Sequence, residues 1–411
     1  MEKDQIKKVI NLIIEANDAT SLVEKELKQH SFQSENIILI AIGKAAWAMA
    51  LGATRSLKDK IKAGIVITKY GHSKGPIDPL KIYEANHPIL DANTLLASQE
   101  VVNLVKNLKP ESEILFLISG GGSALFEIPL ISLKELKSIN QQLLDVGANI
   151  NEINLIRKRF SQVKGGKFAK MVEPIQITNL ILSDVMGDNL DLIASGPTVT
   201  DTSNQAEVLD IINKYQITLS QVAKNILEES SFVKETNTKT KILANNKSLV
   251  LSAKNILEKQ GYFTILIPEQ LSGEARHVGE VLAKLALTKI DTEIPLAIIA
   301  GGETVVTVKG QGLGGRNQEL ALAATKSLSQ TNNITLISFG SDGTDGPTDA
   351  AGGIVSGDSY QKLLDAGLDL ISILEDNNSY YALKKIGDLL VTGPTQTNLN
   401  DLVIIIIEPK I

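Results

Sequence analysis

Short apolar runs alternate with longer amphipathic segments through the first half of the chain. The runs at residues 37–42, 63–68, 114–118 and 176–182 are predicted strands, and residues 82–85 lead into the loop at 86–88. Helical spacing of apolar side chains marks residues 3–30, 93–108, 132–172 (with a break around 164–167) and 203–228, and residue 43 opens another helix. Strands that alternate with helices of this length predict βαβ units and a mostly parallel sheet.

A second α/β pattern follows a polar stretch at residues 229–240, which is the best candidate for a linker. Its predicted strands are 241–244, 262–267, 296–300, 304–308, 334–339 and 403–407, and its predicted helices lie near 247–259, 273–288, 317–328, 358–367 and 378–387. A chain of 411 residues is longer than a single domain with one hydrophobic core usually is. We therefore predict two α/β domains, residues 1–236 and 237–411.

Composition narrows the class of protein. The chain has no cysteine, which excludes disulfides, thiolate metal sites and a cysteine nucleophile. Its net charge of −6 and its 4% aromatic content argue against a nucleic-acid binder. The charged, amphipathic N-terminus differs from a signal sequence, and no apolar run approaches the ~18 residues of a membrane span. We expect a cytoplasmic protein without nucleic-acid or membrane partners.

A glycine-rich turn follows the apolar run at residues 114–118. The turn comprises Ser119, Gly120, Gly121, Gly122 and Ser123. Glycines at the end of a buried strand let the backbone turn tightly and approach a ligand, and exposed N–H groups there favour an anion such as phosphate. The alternative is a flexible turn without a ligand.

Residues 310–315 form a literal G-x-G-x-x-G between a predicted strand and a predicted helix. This motif is typical of dinucleotide sites. Two features weigh against that interpretation: residues 331–333 supply no acidic group for the ribose, and Arg316 opens the helix where it would face a phosphate or carboxylate. A phosphate or carboxylate cradle, a nicotinamide site and a plain turn all remain open.

Carboxylates and one lysine lie beside these turns. The acids are Asp184, Asp188, Glu303, Asp342, Asp345 and Asp349. Isolated aspartates are often turn formers and helix caps, but phosphate-binding loops with carboxylates also suit Mg²⁺ held by oxygen. Lys44 stands at a strand-to-helix turn, where its charge opposes the helix dipole unless an anion lies nearby.

Ten short strings, in order along nearly the whole chain, resemble the glycerate 2-kinases, the class II glycerate kinases with a MOFRL C-terminal domain. Members are often labelled hydroxypyruvate reductases. The strings are residues 42–45, 86–88, 119–124, 164–167, 183–188, 194–198, 301–304, 314–319, 342–351 and 392–398. The chain departs from the family pattern at Met186, at Asn189 and at Arg159, which stands where histidine is usual.

The resemblance implies an N-terminal Rossmann-like domain with a mostly parallel sheet and flanking helices, a smaller C-terminal MOFRL-type α/β domain, and an active site in the cleft between them. It also implies ATP, a divalent metal such as Mg²⁺, and transfer of the γ-phosphoryl group to the 2-hydroxyl of D-glycerate. Lys44, Asp184 and Arg316 correspond to residues regarded as active-site groups in that family.

On this hypothesis each candidate residue receives a role. Asp184 with Asp188 or Glu303 would hold Mg²⁺, and Lys44 and Arg316 would stabilise transferring charge or clamp the glycerate carboxylate. Asp345, or else Asp184, would orient or deprotonate the 2-hydroxyl. The two glycine-rich turns would hold phosphates, and the remaining predicted nucleotide- or substrate-binding residues are Gly43, His87, Lys164, Gly312, Gly314, Gly315 and Asn317.

Two other functions remain open at this point. The G-x-G-x-x-G motif would also suit an NAD(P)H-dependent hydroxypyruvate reductase. A sensor that binds a nucleotide or sugar acid without turnover would need the glycines but not the carboxylates. The expected partners are small molecules, ATP and D-glycerate, and the sequence leaves a homo-oligomer open.

Overall fold

The computed structural model describes residues 1–30, 32–229 and 232–410. Within them the chain forms the strands β1 (Ile37–Ile42), β2 (Ile61–Lys69), β3 (Leu80–Ala85), β4 (Glu113–Ile118), β5 (Gln176–Leu182), β6 (Thr238–Ala244), β7 (Phe263–Leu266), β8 (Leu296–Gly302), β9 (Ile334–Gly340), β10 (Gly352–Ser356), β11 (Leu389–Leu390) and β12 (Asp401–Ile407).

The helices alternate with these strands. They are α1 (Lys3–Ala16), α2 (Ala19–Leu27), α3 (Ala46–Leu57), α4 (Ala92–Val105), α5 (Gly122–Leu125), α6 (Leu133–Asp145), α7 (Ile150–Arg159), α8 (Lys167–Met171), α9 (Gln205–Lys214), α10 (Gln221–Glu229), α11 (Asn246–Lys259), α12 (Ala275–Leu287), α13 (Arg316–Leu328), α14 (Ser359–Asp365), α15 (Leu370–Glu375) and α16 (Ser379–Ile386). Among the described residues, none of these helices combines the length and apolar character needed to cross a bilayer.

The chain divides into two compact units. The N-terminal unit is Ala19–Leu243, and the C-terminal unit combines Met1–Asp18 with Ala244–Ile411. These units differ from the sequence-based division at 236/237, because β6 extends the first sheet and α1 packs on α11 of the C-terminal unit. The predicted linker at 229–240 thus ends inside β6, and its residues 230 and 231 lie outside the described part of the chain.

The N-terminal unit contains a six-stranded sheet in the order β3-β2-β1-β4-β5-β6. Strand β1 is buried at every position and pairs in parallel with β2 and β4, while β2–β3 and β4–β5 are parallel as well. A sheet covered on both faces needs such uninterrupted apolar strands. The strand order reverses between β1 and β4, which is the switch point where Rossmann-type sheets bind ligands. The predicted Rossmann-like α/β fold is confirmed.

Three phenylalanines pack against one another in the hydrophobic core of this unit. The rings of Phe116, Phe126 and Phe168 lie with centroids 5.3–5.9 Å apart in tilted and edge-to-face arrangements, and all three side chains are buried. Phe126 comes shortly after the glycine-rich turn, so its burial fixes where the chain continues beyond that turn.

The C-terminal unit contains a mixed sheet in the order β11-β10-β9-β12-β8-β7. Only β7 and β8 are paired in parallel among the described pairs, and β12 runs antiparallel between β8 and β9. The register sets Asp401, the first residue of β12, opposite Gly302 and Gly340. The carboxyl ends of β8 and β9 therefore meet at Asp401.

Several sequence-based assignments need correction. The predicted helix at 203–228 is divided into α9 and α10, and the one at 132–172 is divided between α6 and α7 as well as at the predicted break. The predicted strand at 304–308 is absent from the described structure apart from an isolated bridge at Val305, and the exposed side chains of Val305 and Val308 bury no apolar face. The predicted helix at 3–30 is broken into α1 and α2. Strand β10 was not predicted, because its two glycines hide the apolar pattern.

Replacing Phe116 with alanine should lower the free energy of unfolding of the N-terminal unit by about 3–5 kcal/mol, since it leaves a cavity in the aromatic cluster. Urea unfolding followed by circular dichroism measures this change. The matched control is Phe263→Ala in β7, because Phe263 is 59% exposed. Its effect should stay within about 0.5 kcal/mol. Equal effects of the two variants would contradict the assignment of Phe116 to the core.

Candidate active site

Lys44 stands at the switch point of the N-terminal sheet, just beyond the end of β1. Its backbone N–H donates to the carbonyl of Gly120 (2.8 Å), and the N–H of Ala45 donates to Oγ of Ser119 (3.0 Å). Gly43 adopts φ +114°, and a Cβ there would lie 2.3 Å from Ser119, so only glycine fits. The turns after β1 and β4 are therefore locked together.

The glycine-rich turn offers unused donors beside Lys44. Within the described residues, the backbone N–H groups of Gly120, Gly121 and Gly122 donate to no acceptor. A Cβ on Gly121 would lie 3.0 Å from the ring of His87 and 3.4 Å from Cγ of Lys44. The structure therefore brings together four of the predicted binding elements: Lys44, His87, Gly43 and the turn. A lysine beside backbone amides without acceptors is an arrangement that favours an anion.

The side chain of Lys164 is bonded to the last residue of this turn. Its Nζ donates to the carbonyl of Ser123 (2.8 Å) and pairs with Glu127, and both side chains are 2% exposed. Burial lowers the pKa of Lys164, against the opposing charge of Glu127. These contacts favour a structural role for Lys164 over the ligand contact that the sequence predicted.

The turn at residues 194–196 has a strained backbone and contacts Ser123, the last residue of the glycine-rich turn. Ala194, Ser195 and Gly196 all have φ between +53° and +60°, a conformation that costs free energy for the two non-glycine residues. Oγ of Ser195 lies 2.9 Å from Oγ of Ser123 and donates to Oδ1 of Asn154 (3.0 Å). Sequence analysis missed Asn154 and the role of Ser195, because only the fold brings α7 and this turn to Ser123.

Asp184 and Asp188 flank the turn after β5, which is the neighbour of β4 in the sheet. Both side chains are partly exposed, and Gly187 and Asp188 have positive φ in a tight turn closed by the bond from the N–H of Asp188 to the carbonyl of Val185 (3.1 Å). The described residues hold no group of three metal-ligating side chains. Two carboxylates suffice for Mg²⁺, which takes its remaining ligands from phosphates and water, so this donor set fits the ion.

Arg159, which departs from the family pattern, is completely buried and faces away from solvent. It pairs with Asp201, and its Cζ lies 4.0 Å from the ring centroid of Phe232. Burial lowers its pKa to about 10, against the opposing charge of Asp191. Arg159 therefore serves an internal ion pair with a cation–π contact.

In the C-terminal unit, Arg316 is the first residue of α13 and is held by two carboxylates. Its Nε and Nη2 donate to Asp401 at 2.6 and 3.1 Å, and its Nη1 donates to Glu303 at 2.5 Å. Burial works against the charged form of Arg316, but Asp401, Glu303 and Asp345 outweigh it and raise the pKa of Arg316 above its ordinary value. Glu303 thus contacts Arg316, in addition to its predicted metal role.

Sequence analysis missed Asp401. Its carboxylate is buried, and this burial raises its pKa; Arg316 opposes the rise and Asp345 adds to it, which leaves the pKa of Asp401 at about 7. The available signal was an acid placed directly before the wholly apolar strand at 402–407.

Asp345 caps the N-terminus of α13 from a separate loop. Its Oδ1 accepts from the backbone N–H (3.2 Å) and Nδ2 (3.4 Å) of Asn317, and its Oδ2 accepts from the backbone N–H (2.9 Å) and Nε2 (3.0 Å) of Gln318. The N-cap residue of the helix, Gly315, has no side chain to do so. Burial raises the pKa of Asp345, against these hydrogen bonds. Four donors on two oxygens favour a positioning role over proton transfer.

In the G-x-G-x-x-G segment, the backbone N–H groups of the first four residues, 310–313, donate to acceptors within the protein. The N–H groups of Lys309 and Gly310 donate to Oδ1 of Asn377 (2.7 and 3.0 Å). Those of Gln311 and Gly312 donate to Asp376, and that of Leu313 to Asn378. Residues 310–313 therefore differ from a pyrophosphate cradle, whose amides face the ligand, while the N–H groups of Gly314 and Gly315 donate to no acceptor within the described residues.

Close packing explains the glycines of that segment. A Cβ on Gly312 would lie 2.4 Å from Cβ of Asn378, one on Gly314 would lie 2.2 Å from Oγ of Ser379, and one on Gly315 would lie 2.3 Å from Cγ of Asp345. The motif is thus a structural loop that seats Arg316 and Asn317 at the start of α13. Asn317 is fixed further, since its Oδ1 accepts from Oγ of Ser338 (2.6 Å).

The candidate residues form one cluster in each unit. The N-terminal cluster contains Lys44, His87 and the turn at 119–123, and Asp184 and Asp188 follow β5, the strand next to β4. The C-terminal cluster contains Arg316, Glu303, Asp401 and the Asp345-capped start of α13. Backbone amides and a lysine suit an anion, and the guanidinium of the second cluster suits a carboxylate or a phosphoryl group.

Comparison with known proteins agrees with these features. Residues 5–228 match the model of a domain of unknown function, DUF4147, and residues 296–401 match the MOFRL family. D-glycerate 2-kinase of Thermotoga maritima is 44% identical over 98% of this chain and 99% of its own. Glycerate 2-kinase of Pyrococcus horikoshii is 38% identical over 99% and 94%, respectively.

Solved structures agree as well. The crystal structure of glycerate kinase from Thermotoga maritima superposes with a TM-score of 0.91 over 98% of this chain and 100% of that one, at 44% identity. A relative in Agrobacterium vitis, 38% identical over 90% of this chain and 87% of its own, carries the name hydroxypyruvate reductase. The comparisons place the chain among the kinases. More narrowly, it belongs to the glycerate 2-kinase family, as the ten short strings predicted.

Replacing Asp345 with alanine should lower the free energy of unfolding of the C-terminal unit by about 2–3 kcal/mol, because the buried N–H donors at the start of α13 lose their acceptor. Asp345→Asn, which keeps one acceptor oxygen, should cost less. The control is Asp369→Ala, which removes an exposed cap from α15. Thermal and urea unfolding measure the three variants. An Asp345→Ala protein of unchanged stability but without turnover would instead support a catalytic base.

Proposed function

We propose that this protein is an ATP-dependent D-glycerate 2-kinase that forms 2-phospho-D-glycerate and ADP with Mg²⁺. The full-length similarity to D-glycerate 2-kinase of Thermotoga maritima, 44% over 98% of the chain, carries the proposal. The two residue clusters support it, because each contains donors or acids of the kind that phosphoryl transfer requires.

The N-terminal cluster receives the nucleotide phosphates in this proposal. The unused amides of Gly120, Gly121 and Gly122 point to anion binding, and Lys44 adds a full positive charge beside them. The backbone of Lys44 is fixed by its bond to Gly120, which anchors the start of the lysine side chain beside the turn. Preorganised positive charge is the main contribution that a protein makes to phosphoryl transfer.

Asp184 and Asp188 would hold Mg²⁺, which, when bound, supplies neutralisation of the phosphate charge. The 2-hydroxyl oxygen of glycerate attacks the γ-phosphorus, the bond to the bridging oxygen of ADP breaks, and the hydroxyl proton leaves to a carboxylate. We assign that carboxylate to Asp184 rather than Asp345, whose two oxygens already accept four hydrogen bonds.

Arg316 supplies the fixed positive charge of the C-terminal cluster. Three of its five N–H groups donate to Asp401 and Glu303, and its side chain is 33% exposed. The two remaining N–H groups suit the glycerate carboxylate or the transferred phosphoryl group.

Incubation of the protein with ATP, MgCl₂ and D-glycerate, with the product identified by phosphorus NMR, tests the proposal. The expected product is 2-phosphoglycerate. Its absence, or formation of 3-phosphoglycerate, would contradict the assignment. A parallel incubation with NADH and hydroxypyruvate tests the reductase, and we expect no oxidation of NADH, because the amides of residues 310–313 in the G-x-G-x-x-G segment are already bonded within the protein.

Arg316→Ala should lower kcat/KM for D-glycerate by about 10³–10⁵, the range for a charge-stabilising arginine in phosphoryl transfer. Steady-state kinetics measures the loss. Arg55→Ala is the matched control, because the Arg55 side chain is 62% exposed and pairs only at 3.7 Å with Glu24. Near-normal turnover of Arg316→Ala would remove Arg316 from the mechanism.

Removal of divalent metal with EDTA should abolish turnover, and added Mg²⁺ should restore it, because two carboxylates and phosphates form the expected ligand set. Asp184→Asn should abolish turnover even in excess Mg²⁺. Nucleotide binding, measured by calorimetry, should persist in this variant through Lys44 and the glycine-rich turn. A sensor without catalysis would show ligand binding but no turnover in the unmodified protein.

A further inference from the structure

We propose that Asp401 is a positioning residue for the kinase reaction, and that it acts by holding the guanidinium of Arg316 in one orientation. The inference rests on the proposed function only for its kinetic readout. The contact itself is a fork: Nε and Nη2 of Arg316 donate to the two oxygens of one carboxylate, at 2.6 and 3.1 Å. Such a bidentate pair fixes both the direction and the rotation of the guanidinium plane.

Asp401 is held more rigidly than the residue it orients. It begins β12 and lies opposite Gly302 on one side and Gly340 on the other, so ladders on both sides fix its backbone. Nδ2 of Asn246, on α11, donates to the carbonyl of Asp401 (3.0 Å) and to that of Leu399 (2.9 Å). The side chain of Asp401 is 7% exposed, whereas that of Arg316 is 33% exposed.

The other acidic partner of Arg316 has a different character. Glu303 contacts only Nη1, at 2.5 Å, and its side chain is 40% exposed. Glu303 can therefore yield its place to a ligand or a metal without burying an unpaired charge. Asp401 cannot, since a buried carboxylate without its partner is costly. The hydrogen bonds from Nε and Nη2 of Arg316 to Asp401 therefore stay in place when a ligand binds, and the exposed side of the guanidinium is the one that contacts substrate.

An arginine side chain free to rotate must be ordered at each binding event, and a small misplacement of a charged group costs much of its catalytic effect. Asp401→Asn keeps the shape of the side chain but replaces one acceptor oxygen with a donor. This variant should lower kcat/KM for D-glycerate about a hundredfold, the scale of a 1 Å misplacement. The change should fall on the same kinetic parameter, kcat or KM, that Arg316→Ala changes.

A double-mutant cycle separates positioning from a general structural effect. If Asp401 acts through Arg316, then Arg316→Ala and Arg316→Ala/Asp401→Asn should have equal kcat/KM. This comparison remains valid if Asp401→Asn alone fails to fold, because the double variant removes both charges together. Asp388→Asn is the matched control in the same unit: Asp388 is also buried and paired, with Lys3, but lies outside the Arg316 cluster.

NMR of the arginine side chain supplies a readout independent of activity. The Nε–H signal of Arg316 should be protected from exchange in the unmodified protein and in Asp388→Asn, and should lose protection in Asp401→Asn. An Asp401→Asn enzyme with kcat/KM within threefold of the parent, or losses that multiply in the double variant, would overturn the inference. An unmodified protein with the protected signal but no D-glycerate kinase activity would refute the proposed function instead.

Discussion

The structure depends on one constraint: polar groups that leave a buried strand must find partners at its end. In both sheets this happens where several strands end together, beyond β1, β4 and β5 in one unit and beyond β8 and β9 in the other. Backbone amides, carboxylates and a guanidinium accumulate there because the apolar strands cannot hold them. Such strand ends are the natural position for a ligand site in an α/β protein.

The two clusters meet this constraint differently. In the N-terminal unit, three backbone N–H groups of the turn after β4 have no acceptor in the described part of the chain, while Lys164 and Ser195 hydrogen-bond to Ser123 at the end of the turn. In the C-terminal unit, carboxylates hold the start of α13: Asp345 caps the helix, and Asp401 binds the arginine that opens it. The first arrangement leaves donors for an anion, and the second fixes one cation rigidly.

Motif and role are separable in this protein. The G-x-G-x-x-G segment has the spacing of a dinucleotide loop, yet the amides of residues 310–313 bond to residues 376–378, and its glycines make room for residues 376–379 and for Asp345. The turn at 119–123 lacks a formal motif and keeps its donors unpaired. Glycine spacing indicates where the backbone approaches a neighbouring group closely. It does not indicate whether that group belongs to a ligand or to the protein itself.

The sequence by itself determined the Rossmann-like strand pattern, the family, and the placement of Lys44, Asp184 and Arg316 at strand or helix ends, because these follow from local periodicity and short strings. It misjudged 304–308, where Val305 and Val308 face solvent, and it missed β10 and Asp401. Only the tertiary structure decided which donors were already satisfied. Partners such as Asp401 and Arg316 lie 85 residues apart, so their pairing is set by strand register and packing rather than by any local pattern.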